Sequence, residues 1–140
     1  MKNGDQSIMS SIGGTAIDTM LTRTAQGVDV NNRPFDPYSK KYEEKTGKTT
    51  PDLNQSGKML RAIRKKADKK VVRIYVEPTA HKGIDSFNLS RVHDYGLLSG
   101  RPPHFNMTRR EFFGLTADDK KYIMKELKEM LNDKIRAARR

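Results

Sequence analysis

The three histidines of this 140-residue chain, and the carboxylates near two of them, are the residues that could support acid–base or metal chemistry. His81, His93 and His104 lie twelve and eleven residues apart, with Asp85 and Asp94 nearby. A helix that holds a metal through two histidines places them four residues apart, and these histidines have no such spacing. No nucleophile elbow or glycine-rich phosphate loop accompanies them. We therefore expect packing or surface roles for the histidines, no cofactor and no enzymatic activity; a small nuclease in which the three histidines meet is the alternative.

A second set of possible ligands, Asp29 with Asn31 and Asn32, looks like the start of a calcium-binding loop. Such a loop needs a central glycine and a terminal glutamate at fixed offsets, and both are missing from this stretch. Asp and Asn side chains also commonly accept hydrogen bonds from the backbone two residues further on, in Asx turns. We therefore predict an Asx turn at this position and no metal site.

Positive charge is the most pronounced chemical property of the chain. It has 28 lysines and arginines against 17 acidic residues, a net charge of +11 and a pI of about 9.9. Such a charge favours a polyanionic neighbour such as nucleic acid. The densest group of cations consists of Arg61, Arg64, Lys65, Lys66, Lys69 and Lys70. We interpret this basic cluster as a surface for non-specific contact with DNA; a solvated helix end is the alternative.

Composition limits the class of protein further. The chain contains no cysteine, which excludes disulfides and thiolate metal sites. Its apolar runs are far shorter than the roughly 20 residues of a membrane-spanning helix, and its first residues lack the apolar core of a signal peptide. Hydrophobic residues make up only 34% of the chain, so a lone subunit would have a thin core. We expect one domain over residues 1–140, with residues 1–6 and 137–140 disordered, that buries more surface by forming oligomers.

Apolar residues at helical spacing predict four helices. They run over residues 7–23, 39–44, 53–69 and 117–139. Gly13 and Gly14 each cost the first helix about 1 kcal/mol relative to alanine, so this helix needs packing, which we expect a neighbouring subunit to provide. The last helix is long and amphipathic, and Thr116 followed by Asp119 three residues later predicts its N-cap.

Alternating residues predict the strands. Val72, Ile74 and Val76 point to one side of a half-buried strand over residues 71–77, and residues 87–95 could supply its antiparallel partner. Turn-forming residues and spaced aromatics over residues 27–51 predict an ordered loop. The expected fold class is therefore α+β, with an N-terminal helix, an ordered loop, a short helix, a small antiparallel β-hairpin or sheet, and a long C-terminal amphipathic helix.

Residues 101–119 form an arm that joins the middle of the chain to the last helix. Pro102 and Pro103 hold its backbone extended and non-helical. Phe112 and Phe113 give the arm apolar surface to bury, either in a contact between subunits or against the C-terminal helix. We expect the arm to make contacts between subunits.

Four short motifs follow one another along the chain: GVDVNNRPFDPYS, LNQSGKML, an H-x-x-G step and RREFFGLT. The residues that define them are Gly27, Asp29, Pro34, Phe35, Pro37, Tyr38, Ser39, Leu53, Ser56, Gly57, Met59, Leu60, His93, Gly96, Arg110, Phe112, Phe113, Gly114, Leu115 and Thr116. In this order the motifs resemble the tailed-bacteriophage virion morphogenesis family, and the resemblance covers residues 23–131. Asn32 stands where the family has glycine, so we predict that Asn32 takes a backbone conformation with positive φ, which asparagine tolerates best.

The resemblance implies a structural protein of the phage neck, a tail-completion component that forms a ring at the head–tail junction around the DNA path. It implies a homo-oligomer of the order of six or twelve subunits. The implied partners are the neighbouring neck and tail proteins and the DNA in the channel, without a membrane. The implied location is the neck or tail of the virion, after assembly in the cytoplasm of the host bacterium. A small basic DNA-binding module is the alternative.

Assembly is the expected mechanism, with subunits side by side in a symmetric ring. The residues predicted to contact a neighbouring subunit or partner are Gly13, Gly14, Phe35, Tyr38, Pro102, Pro103, Phe112 and Phe113. The basic cluster is expected to face the DNA channel.

Overall fold

The computed structural model of the chain describes residues 4–54, 56–81, 84–96, 98–99, 105–106 and 108–140. The helices in that part are α1 (Gly4–Ala25), α2 (Lys40–Thr46), α3 (Lys58–Arg61), α4 (Ser86–Tyr95) and α5 (Ala117–Ala138). The strands are β1 (Ile63–Ala67), β2 (Val72–Val76), β3 (Ala80–His81), β4 (Ile84–Asp85), β5 (Leu98–Ser99) and β6 (Phe105–Asn106), paired antiparallel as β1–β2, β3–β4 and β5–β6. Helices together with antiparallel strand pairs in one chain confirm the α+β class.

Helices α1 and α5 pack against each other and run in opposite directions. Arg23, near the end of α1, pairs with Asp119 at the start of α5, while Asp5 at the start of α1 pairs with Lys134 near the end of α5. The residues buried between the two helices are Ile12, Ala16 and Ile123. The helices are therefore joined by an apolar centre and by an ion pair at each end.

The predicted N-cap of α5 is confirmed as a capping box. Thr116 Oγ1 accepts a hydrogen bond from the Asp119 N–H at 3.0 Å, and Asp119 Oδ2 accepts one from the Thr116 N–H at 2.8 Å. Two N–H groups that a helix start leaves without intrahelical partners are satisfied in this way. The sequence signal and the local geometry agree here because both depend only on residues close together in the chain.

The β1–β2 hairpin packs its inner face against α1. Val72, Ile74 and Val76 turn towards the core and alternate with exposed Arg73 and Tyr75, which confirms the predicted strand. In the register Ile63, Lys65 and Ala67 of β1 lie opposite Val76, Ile74 and Val72 of β2 on the inner face.

Gly13 lies where α1 and the hairpin approach most closely. A Cβ atom on Gly13 would lie 2.6 Å from Val72 Cγ2, and real Cβ atoms do not approach so near. Glycine is therefore required by the packing of α1 against the subunit's own hairpin.

The main core draws residues from segments that are far apart in the sequence. Its buried members are Met20, Phe35, Leu53, Met59, Ala62, Ile63, Val76 and Phe112. They come from α1, the segments before and after α2, α3 and the residue that follows it, both strands of the hairpin and the arm before α5, so each of these segments depends on the others for its burial.

The prediction of a helix over residues 53–69 is wrong beyond a single turn. Gly57 adopts φ 73°, α3 covers only Lys58–Arg61, and the chain continues as β1. The prediction rested on Met59, Leu60 and Ile63, which fit a helical stripe but equally fit a helical turn followed by a strand. Pairing with β2 supplies the backbone hydrogen bonds and buries Ile63. The basic cluster consequently lies on a hairpin.

The prediction of a strand over residues 87–95 is also wrong, because Ser86–Tyr95 form α4. Asp85 caps this helix by accepting a hydrogen bond from the Asn88 N–H at 2.9 Å, and Gly96 ends it with φ 66°. The partner of β2 is β1 instead. A short apolar run cannot by itself distinguish a strand from a helix.

Candidate functional site

The loop after α1 is closed by one carboxylate, that of Asp29. Its Oδ1 accepts hydrogen bonds from the N–H groups of Asn31 and Arg33, at 2.7 and 2.9 Å, which confirms the predicted Asx turn. Asn32 has φ 59°, as predicted for an asparagine in the place of glycine. Burial acts to raise the pKa of the Asp29 carboxyl, but the N–H groups of Arg33 and Asn31 outweigh it and lower the pKa overall.

Arg110 ties this loop to the arm. It is 4% exposed, and its Nε and Nη2 donate to the carbonyl oxygens of Asp36 and Pro37, both at 3.1 Å. Its guanidinium also lies over the Tyr38 ring, 5.0 Å from the centroid, a favourable cation–π distance. Burial lowers the pKa of Arg110 and raises that of Tyr38. The first and last motifs of the sequence are thus joined by a buried arginine.

The H-x-x-G motif on α4 meets the same place. The Arg110 N–H donates to the His93 carbonyl at 2.8 Å, and Asp94 Oδ1 accepts from the N–H groups of Phe112 and Phe113, both at 3.1 Å. Burial, with a smaller effect from Arg110, lowers the pKa of His93 to about 4, while burial raises the pKa of Asp94. The His93 carbonyl and the Asp94 side chain thus hold the arm against α4.

The histidines are not brought together as a ligand set within the described residues. No group of three or more His, Cys, Asp or Glu residues there could hold a metal ion. His104 and the side chain of His81 lie outside the described part. The role of His93 that the structure does support is packing, since the residue is half-buried and lies near Arg110.

Arg23 fastens the arm to α1 and to the start of α5. Its Nη1 lies 2.5 Å from Asp119 Oδ2, and its Nη2 donates to the carbonyl oxygens of Phe112 and Gly114, both at 2.8 Å. The residue as a whole is 6% exposed. Sequence reasoning missed this role, although Arg23 follows Ala16 and Met20 on the apolar side of the first helix, where a charged residue signals a buried partner.

These bonds form one structural unit, which we call the motif junction: Arg23, Asp29, Asp36, His93, Asp94, Arg110, Phe112 and Asp119. It joins the end of α1, the loop, α4, the arm and the cap of α5. The motif residues that it contains therefore act in the fold of the subunit.

The residues predicted to contact neighbours divide into three groups. Gly13, Phe35 and Phe112 are buried, the two aromatics 6% and 1% exposed, so they stabilise the subunit's own core. Their contact with a neighbouring subunit stays a prediction.

Gly14, Tyr38 and Phe113 are half-buried. Tyr38 packs against Tyr42 at 4.5 Å between ring centroids and accepts a hydrogen bond from the Leu53 N–H through its hydroxyl. Phe113 meets Phe112 edge to face. Pro102 and Pro103 lie outside the described residues.

The basic cluster is exposed on the β1–β2 hairpin and the residues that flank it. Arg64 and Lys66 lie on its outer face, Lys69 and Lys70 in the connecting turn, and Arg61 at the end of α3. Lys65 is on the inner face, where its Nζ donates to the Ser10 carbonyl at 2.6 Å.

Arg73 joins the cluster from β2, so residues 61–73 contain seven basic residues and one acidic residue, or +6 of the chain's +11. More than half of the net charge is therefore concentrated on this hairpin and its flanks.

Helix α5 exposes an apolar stripe on the side that does not face α1. Met124, Leu131 and Ile135, spaced seven and four residues apart, share one side of the helix and are 50%, 41% and 50% exposed. The stripe lies roughly 100° around the helix from Ile123 and Met130, which pack against α1. No helix among the described residues is both long and apolar enough to span a membrane.

Comparison with known proteins identifies the family of the chain. The model of the phage virion morphogenesis family covers residues 2–132, which include the motif junction, the hairpin and most of α5. Neither the curated proteins nor the solved structures searched contain a match to the chain. The family match extends over more than nine-tenths of the sequence, and the resemblance seen in the motifs is confirmed. The chain therefore belongs to the phage virion morphogenesis family and has a role in building the phage virion.

Proposed function

We propose that copies of this chain assemble into a ring at the head–tail junction of the virion, around the DNA path, where they complete the tail. The observation that carries the proposal is the family match over residues 2–132. The motif junction supports it, because a subunit whose loop, arm and helices are fixed to one another presents the same surfaces in every copy, as a closed ring requires. On this proposal the chain acts by assembly and not by catalysis.

The apolar stripe of α5 is the surface that we propose for contact between subunits. The core aromatics Phe35 and Phe112 expose little surface, whereas Met124, Leu131 and Ile135 expose apolar surface along one side of a 22-residue helix. An exposed apolar stripe of this kind marks an interaction surface in a soluble protein. A heterologous contact through it, repeated by rotation, closes a ring.

Sedimentation of the full chain, stripped of nucleic acid, tests the proposal at low and high salt. We expect a discrete oligomer that persists at high salt, because apolar contacts are not screened as charges are. The double variant Leu131→Asp with Ile135→Asp is expected to sediment as a folded monomer. Lys125→Asp with Arg136→Asp is the control, since it changes the charge of the same helix more but lies away from the stripe.

Two results would contradict this proposal. A wild-type chain that stays monomeric at both salt concentrations, and does not assemble on isolated phage tails, would remove the ring. A ring that survives the Leu131→Asp and Ile135→Asp changes would place the contact elsewhere than on α5.

A small DNA-binding module remains the second candidate, and the +6 charge of residues 61–73 favours it. Such a module would bind DNA as a monomer, with an affinity that falls steeply with salt. The same sedimentation experiment, repeated with added duplex, separates it from a ring former: the module gains mass only when DNA is present.

A further inference from the structure

We propose that the outer face of the β1–β2 hairpin binds the phosphate backbone of duplex DNA, without sequence preference. This outer face consists of Arg64, Lys66, Arg73 and Tyr75, and Lys69 and Lys70 extend it at the connecting turn. The inference deepens the proposed function, because it assigns residues to the contact with DNA. It can nevertheless be tested on the unassembled chain.

The register of the hairpin places the outer-face side chains as two facing pairs. Arg64 lies opposite Tyr75, and Lys66 opposite Arg73, so all four project from the same side of the ribbon. Residues two apart on one strand are separated by about 6.6–6.8 Å. The inner face is occupied by α1, and the outer side chains are exposed, with Tyr75 44% exposed. The arrangement is thus an accessible grid of cations with one aromatic hydroxyl.

The charges on this grid are poorly compensated within the subunit. Lys66 and Arg73 carry like charges directly opposite each other, which destabilises a hairpin. Among the described residues, Arg73 has a long ion pair with Asp68, 3.9 Å from Nη1 to Oδ2, and both side chains are about two-thirds exposed. Arg64 lies 3.2 Å from Glu77, also near half exposure. An external anion would relieve the repulsion that the fold leaves in place.

Duplex DNA matches this surface better than an acidic protein does. DNA carries one negative charge per about 1.7 Å of helix axis, so several outer-face cations can meet phosphates at once without a specific arrangement of partners. Lysine, arginine and tyrosine are side chains that commonly contact phosphate oxygens. A two-stranded ribbon is also narrow enough to follow the backbone beside a groove about 12 Å wide.

Lys65 sharpens the assignment, because it belongs to the same cluster in sequence but not in space. Its Nζ is bonded to the Ser10 carbonyl, and its stem lies over Gly13, with Lys65 Cδ 3.2 Å from a Cβ built there. Neutralising Lys65 therefore disturbs the contact with α1, whereas neutralising Lys66 leaves the packing unchanged. The DNA surface comprises alternate residues of the cluster together with residues of β2.

The test is the binding of a fluorescent 30-base-pair duplex (about three turns) to the full chain, titrated over a range of salt. Lys66→Gln with Arg73→Gln is compared with Lys121→Gln with Lys125→Gln, an exposed pair on α5 that changes the net charge equally. For the hairpin variant, we expect the plot of log K against log salt to be less steep, with the magnitude of its negative slope reduced by about 2. Binding at 0.1 M salt should weaken about 60-fold, which is about 8-fold per cation. The α5 variant should bind as the wild type does.

The thermal stability of both variants is measured beside the titration. If the hairpin variant is less stable than the wild type, Lys66→Gln alone replaces it, and its DNA affinity should fall about 8-fold. Equal weakening by the two double variants would overturn the proposal, because bulk charge would then explain the binding. Absence of duplex binding by the wild type would overturn it as well. A hairpin variant that no longer forms the ring but still binds DNA would also overturn the proposal. The outer face would then be the contact site for an acidic protein surface. A chain that binds duplex through this face but forms no ring would leave the inference standing and remove the ring proposal.

Discussion

Replacing Arg23 by methionine tests the motif junction at its most buried charge. Methionine keeps the unbranched apolar stem but removes the ion pair with Asp119 and the hydrogen bonds to the carbonyls of Phe112 and Gly114. Breaking a buried pair by removing one partner costs about 3–5 kcal/mol. In the wild type, Arg23 Nε is buried without a hydrogen-bond partner among the described residues, which costs about 1–3 kcal/mol. The change to methionine recovers this cost.

The difference leaves an expected loss of about 2 kcal/mol in the free energy of unfolding, and of at most about 4 kcal/mol. For a chain of this length, 2 kcal/mol lowers Tm by about 6–8 °C. Urea unfolding followed by circular dichroism measures the free energy, and a thermal scan measures Tm. Arg33→Met is the matched control: the same substitution removes an ion pair, with Asp29, but the Arg33 side chain is 69% exposed, so we expect a loss below about 1 kcal/mol.

A second comparison isolates the ion pair itself. Asp119→Asn retains an oxygen that can accept from the Thr116 N–H, and in the Arg23→Met background it should cost less than in the wild type. Strictly additive effects, or an Arg23→Met loss no larger than that of Arg33→Met, would refute the reasoning that the junction is held by this arginine.

Three further predictions concern the packing, the titration and the charge of the subunit. Gly13→Ala should destabilise the fold by about 1–3 kcal/mol in urea unfolding, because its Cβ would meet Val72, whereas Gly14→Ala meets only the end of the long Lys65 side chain, at 3.2 Å, and should not. The pKa of His93 is lowered to about 4 in the fold, so the unfolded chain binds more protons below pH 6.5. Stability should therefore fall by about 2–3 kcal/mol between pH 7 and pH 4.5, and His93→Gln should remove that part of the pH dependence. Lys66→Glu should raise stability by about 0.2–1 kcal/mol by pairing with Arg73, whereas Lys65→Glu should lower it in the same assay.

Local signals in the sequence predicted those parts of the fold that depend on neighbouring residues. The capping box at Thr116, the Asx turn at Asp29 and the positive φ of Asn32 depend on contacts within a few positions, and all are confirmed. The alternation of β2 is confirmed as well, because it is written in the order of residues along one strand. The predictions for segments 53–69 and 87–95 failed because the state of each segment depends on which strand pairs with β2. The pair that forms joins residues 5 to 13 positions apart.

The site was predicted less fully than the fold. The basic cluster was recognised, but its geometry was not, because a helix end would have gathered residues three and four apart while the hairpin selects alternate residues and adds Arg73 from the next strand. The buried roles of Arg23 and Arg110 depend on carbonyl oxygens supplied by segments about 70 to 90 residues away. Nothing in the neighbouring sequence specifies such partners.

The burial of Phe112 has a consequence for the order in which the subunit can form during synthesis. Phe112 closes a core whose other members begin at Met20, and Arg23 finds its acceptors only at residues 112–119. In a nascent chain whose residue 112 has not yet emerged, the core is therefore open and Arg23 lacks its hydrogen-bond acceptors. Domains fold as units once enough of the chain has emerged, and here that point falls close to the C-terminal helix. Chains released early would lack both the closed core and α5, and with α5 the surface that we propose for contact between subunits.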